Sequence, residues 1–213
     1  MKLLINAFFL SFQIAALIAA IWYRKQYKHT TERYFLAFLI YVVCHEIVGL
    51  CITHFLIKDG NVFYNDIIYN VYTMVSFSFY FFWFYKILET RRFLIPVVFS
   101  VFLLFFLYDL FDKDPFYYLY LNPIIAGAFC ILVLTISYFV ELLRADTITN
   151  FVKSQKFWIV TGLFCFYIGL IPLLVFHSML DYGGHFYSIV ITVLNAILYG
   201  CIFKSFLCLR KTR

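Results

Sequence analysis

Two adjacent ionisable residues, His45 and Glu46, interrupt an otherwise apolar run, Y-V-V-C-H-E-I-V-G-L-C-I-T, over residues 41–53. Inserting a carboxylate at the centre of a membrane span costs about 2.5–3.5 kcal/mol, so such a group faces a bundle interior and pairs with or binds something there. Two other apolar runs carry polar stripes: Asn70, Thr73, Ser76 and Tyr80 in one, Ser188, Thr192, Asn195 and Tyr199 in the other. Residues three and four apart share a helix face, and a polar face in lipid turns inward. At 1.5 Å per residue Glu46 lies about 16 Å from the outer end of its span, between Asn195 at about 12 Å and Tyr199 at about 18 Å in theirs. The expectation is a polar pocket of His45, Glu46, Thr73, Ser76, Asn195 and Tyr199 that holds a ligand or ion. The competing reading has the same groups satisfying one another and fixing helix register. His45 and Glu46 stand about 100° apart on a helix, so one can face inward while the other does not.

A second set of residues, His54, Asp109, His177, Asp181 and His185, falls toward the outer side. Imidazole and carboxylate are zinc ligands, and three of them with a water would serve an intramembrane metal-dependent hydrolase. Their spacing matches no metal motif, and loops need polar residues in any case, so no enzyme, metal or cofactor is expected. Lys204 stands too near the end of its run to form a retinal Schiff base in mid-helix. No internal repeat of the kind secondary transporters carry is visible, although Pro123 and Pro172 interrupt two runs. The six cysteines lie within apolar runs without a CxxC pair. Cys44 and Cys51, and likewise Cys201 and Cys208, read as small packing residues.

The chain that must position these groups has 213 residues, 65% of them hydrophobic and 13% charged, with a mean hydropathy of +0.91. Such values exclude a soluble domain with a polar surface. The expected fold is all-α: a single polytopic domain over 1–213 with seven transmembrane helices near 3–23, 34–57, 67–88, 94–111, 120–143, 157–178 and 187–209. The first run is too long for a signal peptide, and its flanking charges follow it at Arg24 and Lys25. Fourteen of the 17 Lys and Arg fall in the first, third and fifth connections and the C-terminal tail; Lys2, Lys58 and Lys113 are the exceptions. Positive connections stay inside, so the N-terminus is expected outside and the C-terminus in the cytoplasm. Topology thus accounts for the net charge of +6 without a nucleic-acid partner. The basic face would favour anionic lipid.

Smaller signals concern packing. Ala15, Ala16, Ala19 and Ala20 form a small-residue face for close helix approach, with homo-oligomerisation the less favoured use. Gly127 marks a further close contact, and Trp158, Gly162, Gly169 and Pro172 together predict a kink in the outer half of the sixth run. Trp83, Tyr85 and Lys86 read as an interfacial belt.

The runs C-H-E-I-V-G-L, Y-N-D-I-I-Y-N-V-Y-T, F-W-I-V-T-G-L-F-C-F-Y-I-G and V-L-N-A-I-L-Y resemble small uncharacterised integral membrane proteins of Bacteroidota, many encoded beside two-component histidine kinases. The positions that carry the resemblance are Glu46, Gly49, Tyr69, Asn70, Tyr72, Phe157, Trp158, Gly162, Tyr167, Asn195 and Tyr199. The chain departs from the pattern at Val75 and Ser76, where an acidic residue would be expected. The resemblance implies a multi-pass protein of the bacterial inner membrane. The functional expectation is a non-enzymatic, receptor-like or regulatory protein that relays ligand or membrane state to a cytoplasmic or membrane protein partner. A small-solute or ion transporter, and a membrane accessory of a CRISPR or other phage-defence effector, are the alternatives.

Overall fold

A computed structural model describes the backbone of residues 2–55, 64–144, 148–176 and 185–209, with side chains over 10–52, 66–144, 151–176 and 187–209. Seven α-helices occupy these residues: α1 Lys2–Trp22, α2 Arg33–Phe55, α3 Tyr64–Ile87, α4 Leu94–Asp112, α5 Leu121–Arg144, α6 Gln155–Val175 and α7 His185–Leu207. A short 3-10 turn, Ile148–Lys153, precedes α6, and no strand occurs among the described residues. In an apolar solvent each segment must satisfy its own backbone groups, which makes the helix the default for long Leu, Ile, Phe and Val runs. Where the runs end, backbone bonds close the last turn: Lys113 N–H donates to Asp109 O at 2.9 Å, and Phe176 N–H to Pro172 O at 3.0 Å. Pro172 falls in the final turn of α6, which runs through it as one continuous element.

Helices α2 to α7 each hold an apolar stretch of 19–24 residues. At 1.5 Å per residue that spans a hydrocarbon core of about 30 Å. The described side chains of α1 give a shorter apolar stretch, Leu10–Trp22. The molecule therefore has the make-up of a polytopic helical membrane protein.

Neighbouring helices close a ring in the order α1, α2, α3, α5, α6, α7 and back to α1, while α4 packs outside it on α3 and α5. Along α4 the buried positions are Ile95, Val98, Phe102 and Asp109, Leu94, Phe99, Leu103 and Phe106 are half-buried beside them, and the opposite face, including Leu104, Tyr108 and Phe111, is exposed. Small residues set the closest approaches. A Cβ on Gly127 would come within 2.7 Å of the Phe77 ring, and one on Gly162 within 2.8 Å of Cys201 Cβ and 3.2 Å of Leu198 O. Ala16, Ala19 and Ala20 are buried in the wall that α1 shares with its neighbours.

The half of the bundle nearest the basic connections is packed solid. Phe38 and Phe79 stack at 4.1 Å, and Phe35 meets Trp83 edge-on at 5.0 Å. Trp83 is fully buried, which corrects the expectation that it belongs to an interfacial belt. Tyr85 is exposed and Lys86 lies over its ring, as a belt requires, but Trp83 is two residues away and turned into the core. Cys44 and Cys51 are also corrected: both face outward instead of packing. At this end Tyr27 donates to Ala20 O at 2.5 Å and packs on Phe206 at 5.1 Å. The Glu141 carboxylate caps the α3–α4 connection by accepting the N–H groups of Glu89, Thr90 and Arg91 at 3.0, 3.0 and 2.7 Å.

Candidate functional site

Above that solid half, the ring encloses a cavity of about 260 Å³. It is walled by α1, α2, α3, α6 and α7, with the start of α5 at its mouth, and α4 contributes nothing to it. His45, Glu46, Thr73, Ser76, Asn195 and Tyr199 all line it. The i, i+3 spacing of Thr73 and Ser76 and the i, i+4 spacing of Asn195 and Tyr199 turn both pairs toward the same space.

Both members of the His45–Glu46 pair reach the cavity, although they point about 100° apart. His45 Nε2 lies 3.2 Å from Ile68 O, so that nitrogen carries the proton and donates, leaving Nδ1 as an acceptor. Its ring stacks on Tyr72 at 4.4 Å and meets Tyr69 at 5.6 Å. His45 also lines an apolar groove on the outside of the α2–α3 seam, with Tyr41, Val48, Ile67 and Val71, so the imidazole is a partition between interior and lipid-facing surface. The Glu46 carboxylate has neither an ion pair nor a hydrogen bond among the described residues.

Two polar atoms in the lining are orphaned. Gln13, only 1% exposed, leaves Oε1 without a hydrogen-bond partner, and Ser76 Oγ is in the same state. On α7, Asn195 Nδ2 donates to Ile191 O at 2.8 Å. Thr192, in the same polar stripe, donates to Ser188 O at 2.7 Å and is not a cavity residue. Tyr72, Tyr80, Tyr167 and Tyr199 supply phenol rings, with Tyr80 and Tyr167 edge-to-face at 6.4 Å.

Sequence reasoning missed Gln13 and did not select Tyr69, Tyr72, Tyr80 or Tyr167 as site residues. For Gln13 a signal exists: Gln13, Ala16 and Ala20 share one face of α1 at i, i+3 and i+7, and all three are buried. Asn70, on the inward stripe of α3, serves a different purpose. Its Nδ2 donates to Pro115 O at 3.2 Å and Tyr118 O at 2.9 Å, and its Oδ1 accepts from Tyr120 N–H at 2.9 Å. It clamps the 113–120 connection, whose Leu119 closes the cavity mouth.

Asp109 works beside it, fully buried. Oδ1 accepts from Lys113 Nζ at 2.9 Å and Asn122 Nδ2 at 2.7 Å, and Oδ2 from Asn122 N–H at 3.3 Å. Asp109 is thus a loop clamp, which corrects its selection as a metal-ligand candidate. The side chains of His54, His177, Asp181 and His185 lie outside the described ones. No group of three His, Cys, Asp or Glu that could hold a metal occurs among the described residues. Burial, with Asp109 and Asp114 nearby, raises the Tyr120 phenol above its ordinary value, so it stays a neutral donor to Lys113 O at 3.1 Å.

Fold and cavity define the class: a multi-pass helical bundle with an internal polar pocket at one end and a sealed aromatic core at the other. Comparison with protein-family models, curated proteins and solved structures finds no match.

Proposed function

We propose that the chain is a receptor-like, non-enzymatic protein of the bacterial inner membrane, crossing it seven times with the N-terminus outside, and that cavity occupancy is relayed to a cytoplasmic protein partner. One observation carries the reading: a preformed cavity contains buried polar atoms, Gln13 Oε1 and Ser76 Oγ, that the protein itself leaves unsatisfied. A buried unpaired polar group costs about 1–3 kcal/mol, a penalty that a bound ligand or ordered water relieves. The orientation rests on the positions of fourteen of the 17 Lys and Arg.

The core below the cavity favours a receptor over an open channel. Between the cavity and the basic end stand Phe35, Phe38, Trp83, Phe84, Ile159 and Phe206, all buried. A solute would have to displace that packing to cross. The basic connections, ordered by the Glu141 cap, form a face that a partner could read.

The test is affinity purification from native membranes in mild detergent, with wild type, Glu46→Gln and Asn195→Ala at matched abundance. A near-stoichiometric cytoplasmic partner whose recovery changes in the cavity variants is the expected result. Partner recovery identical in all three, or solute flux in proteoliposomes containing this chain alone, would refute the relay.

A further inference from the structure

The cavity lining is chemically one-sided, and the ligand class can be read from that. Among the described residues Glu46 is its only carboxylate and no Lys or Arg lines it, and its orphaned atoms include the carbonyl oxygen of Gln13. Asn195 gives one N–H to Ile191 O, and its own carbonyl oxygen is a further acceptor. His45 spends its ring proton on Ile68 O. The hydroxyls of Thr73, Ser76 and the tyrosines can turn either way, so the fixed features of the lining are the carbonyl acceptors of Gln13 and Asn195 beside one carboxylate, and what fits them is a donor carrying positive charge.

The rest of the wall points the same way. Tyr72, Tyr80, Tyr167 and Tyr199 surround the space, and aromatic faces attract organic cations through the ring quadrupole, most strongly where water is excluded. An anion would meet a carboxylate and, among the described residues, no cationic side chain. A hard metal cation would need six or more converging oxygens at about 2.4 Å, whereas this cavity is wide and walled largely by rings. At about 260 Å³ it is sized for a small molecule.

We infer that the cavity takes a small organic cation, a protonated amine whose charge rests on Glu46 within the tyrosine rings and whose N–H groups meet Gln13 Oε1. This inference deepens the proposed function and rests on its reading of the cavity as a ligand site. Gln13 then has the role that its burial without a partner lacks: it selects ligands that donate.

The experiment is thermal unfolding of the full chain in detergent against a panel of primary, secondary and quaternary amines. Each is paired with its uncharged isostere and tested to about 10 mM, where a ligand of millimolar Kd saturates. The expected result is that at least one amine raises the unfolding temperature while its alcohol or hydrocarbon isostere does not. The shift should be lost in Glu46→Gln, corresponding to at least about tenfold weaker binding, and retained in part in Glu46→Asp. Because Glu46→Gln can alter folding, Gln13→Leu is the second variant: it keeps the volume, removes the acceptor, and should weaken a primary amine more than a quaternary one. Stabilisation by the uncharged isosteres alone, or equal binding to wild type and Glu46→Gln, would overturn the cation assignment and leave the ligand site standing. Silence across the whole panel, together with partner recovery unchanged by Glu46→Gln, would overturn both.

Discussion

Replacing Asn70 by Ala should unfasten the cavity mouth, and the structure gives the size of the effect. The substitution removes three hydrogen bonds at 3.2, 2.9 and 2.9 Å. Tyr120 is 1% exposed, so its orphaned N–H finds no water and costs about 1–3 kcal/mol. The carbonyls of Pro115 and Tyr118 border an exposed turn, where water replaces the lost donor, and each loses about 0.5–1.5 kcal/mol. The sum centres on about 4 kcal/mol, which lowers the unfolding temperature by roughly 8–16 °C for a chain of this length.

Asn70→Asp keeps the acceptor for Tyr120 but turns a carboxylate oxygen toward the two carbonyls, so it should fall in the same range. Ser100→Ala is the control: that hydroxyl is on the lipid-facing helix and bonds its own backbone at Pro96 O, so its loss should cost under about 0.5 kcal/mol. The assay is detergent thermal unfolding, with amide exchange over 113–121 as the local readout. A fall of less than about 2 °C for Asn70→Ala, or unchanged exchange at Tyr120, would refute the clamp.

Four shorter predictions accompany it. Burial pushes the Tyr27 phenol up to about 12 from an ordinary value of 10.0, so the unfolded chain loses this proton first. Stability should therefore be full below pH 10 and decline from there toward 12, and Tyr27→Phe should flatten that part of the pH–stability curve while losing about 1 kcal/mol at neutral pH. Gly162→Val should drive α6 from α7, because Leu198 O is backbone and cannot yield; membrane abundance and unfolding temperature should both fall, whereas Gly200→Ala, with open space around it, should leave them unchanged. Glu141→Gln keeps the shape of the α3–α4 cap but removes its charge and one of its two acceptor oxygens, so limited proteolysis after Arg91 or Arg92 should accelerate several-fold. His45→Ala should join the cavity to the groove on the α2–α3 seam, so that a lipophilic thiol reagent reaches a cysteine placed at Thr73 while wild-type background excludes it.

Several features were readable before any coordinates. The helix bounds fall within three residues of the expected spans wherever the two can be compared, as with α4 at Leu94–Asp112 against 94–111. The reason is that a bilayer imposes one length and one hydrogen-bonding solution on each apolar run. The polar residues of the cavity were legible for a related reason: a costly group in an apolar run has few places to go, and helical spacing shows which of them share a face.

Other features depended on partners far away in the chain. Asn70 and Ser76 belong to one stripe on α3, yet Asn70 holds a connection 45–50 residues later while Ser76 looks into the cavity. Asp109, which resembles a ligand when read alone, is consumed by Lys113 and Asn122. Trp83 carries the residue type of an interfacial anchor, but its helix rotation sends it among Phe35 and Phe84. Gln13 is one of four polar residues on α1, with Lys2, Asn6 and Ser11, and only the closing of α1 against α7 makes it part of a wall.

The sequence by itself thus determined that apolar helices of membrane-spanning length form, where each begins and ends, and which of their residues must avoid lipid. Only the tertiary structure decided that α4 stands outside the ring, that six helices share one cavity, and which polar residues face it and which fasten its mouth. The physical reason is that lipid is as apolar as the helix surfaces, so hydropathy cannot choose neighbours; small-residue contacts such as Gly162 on Leu198 and long-range polar clamps such as Asn70 make that choice.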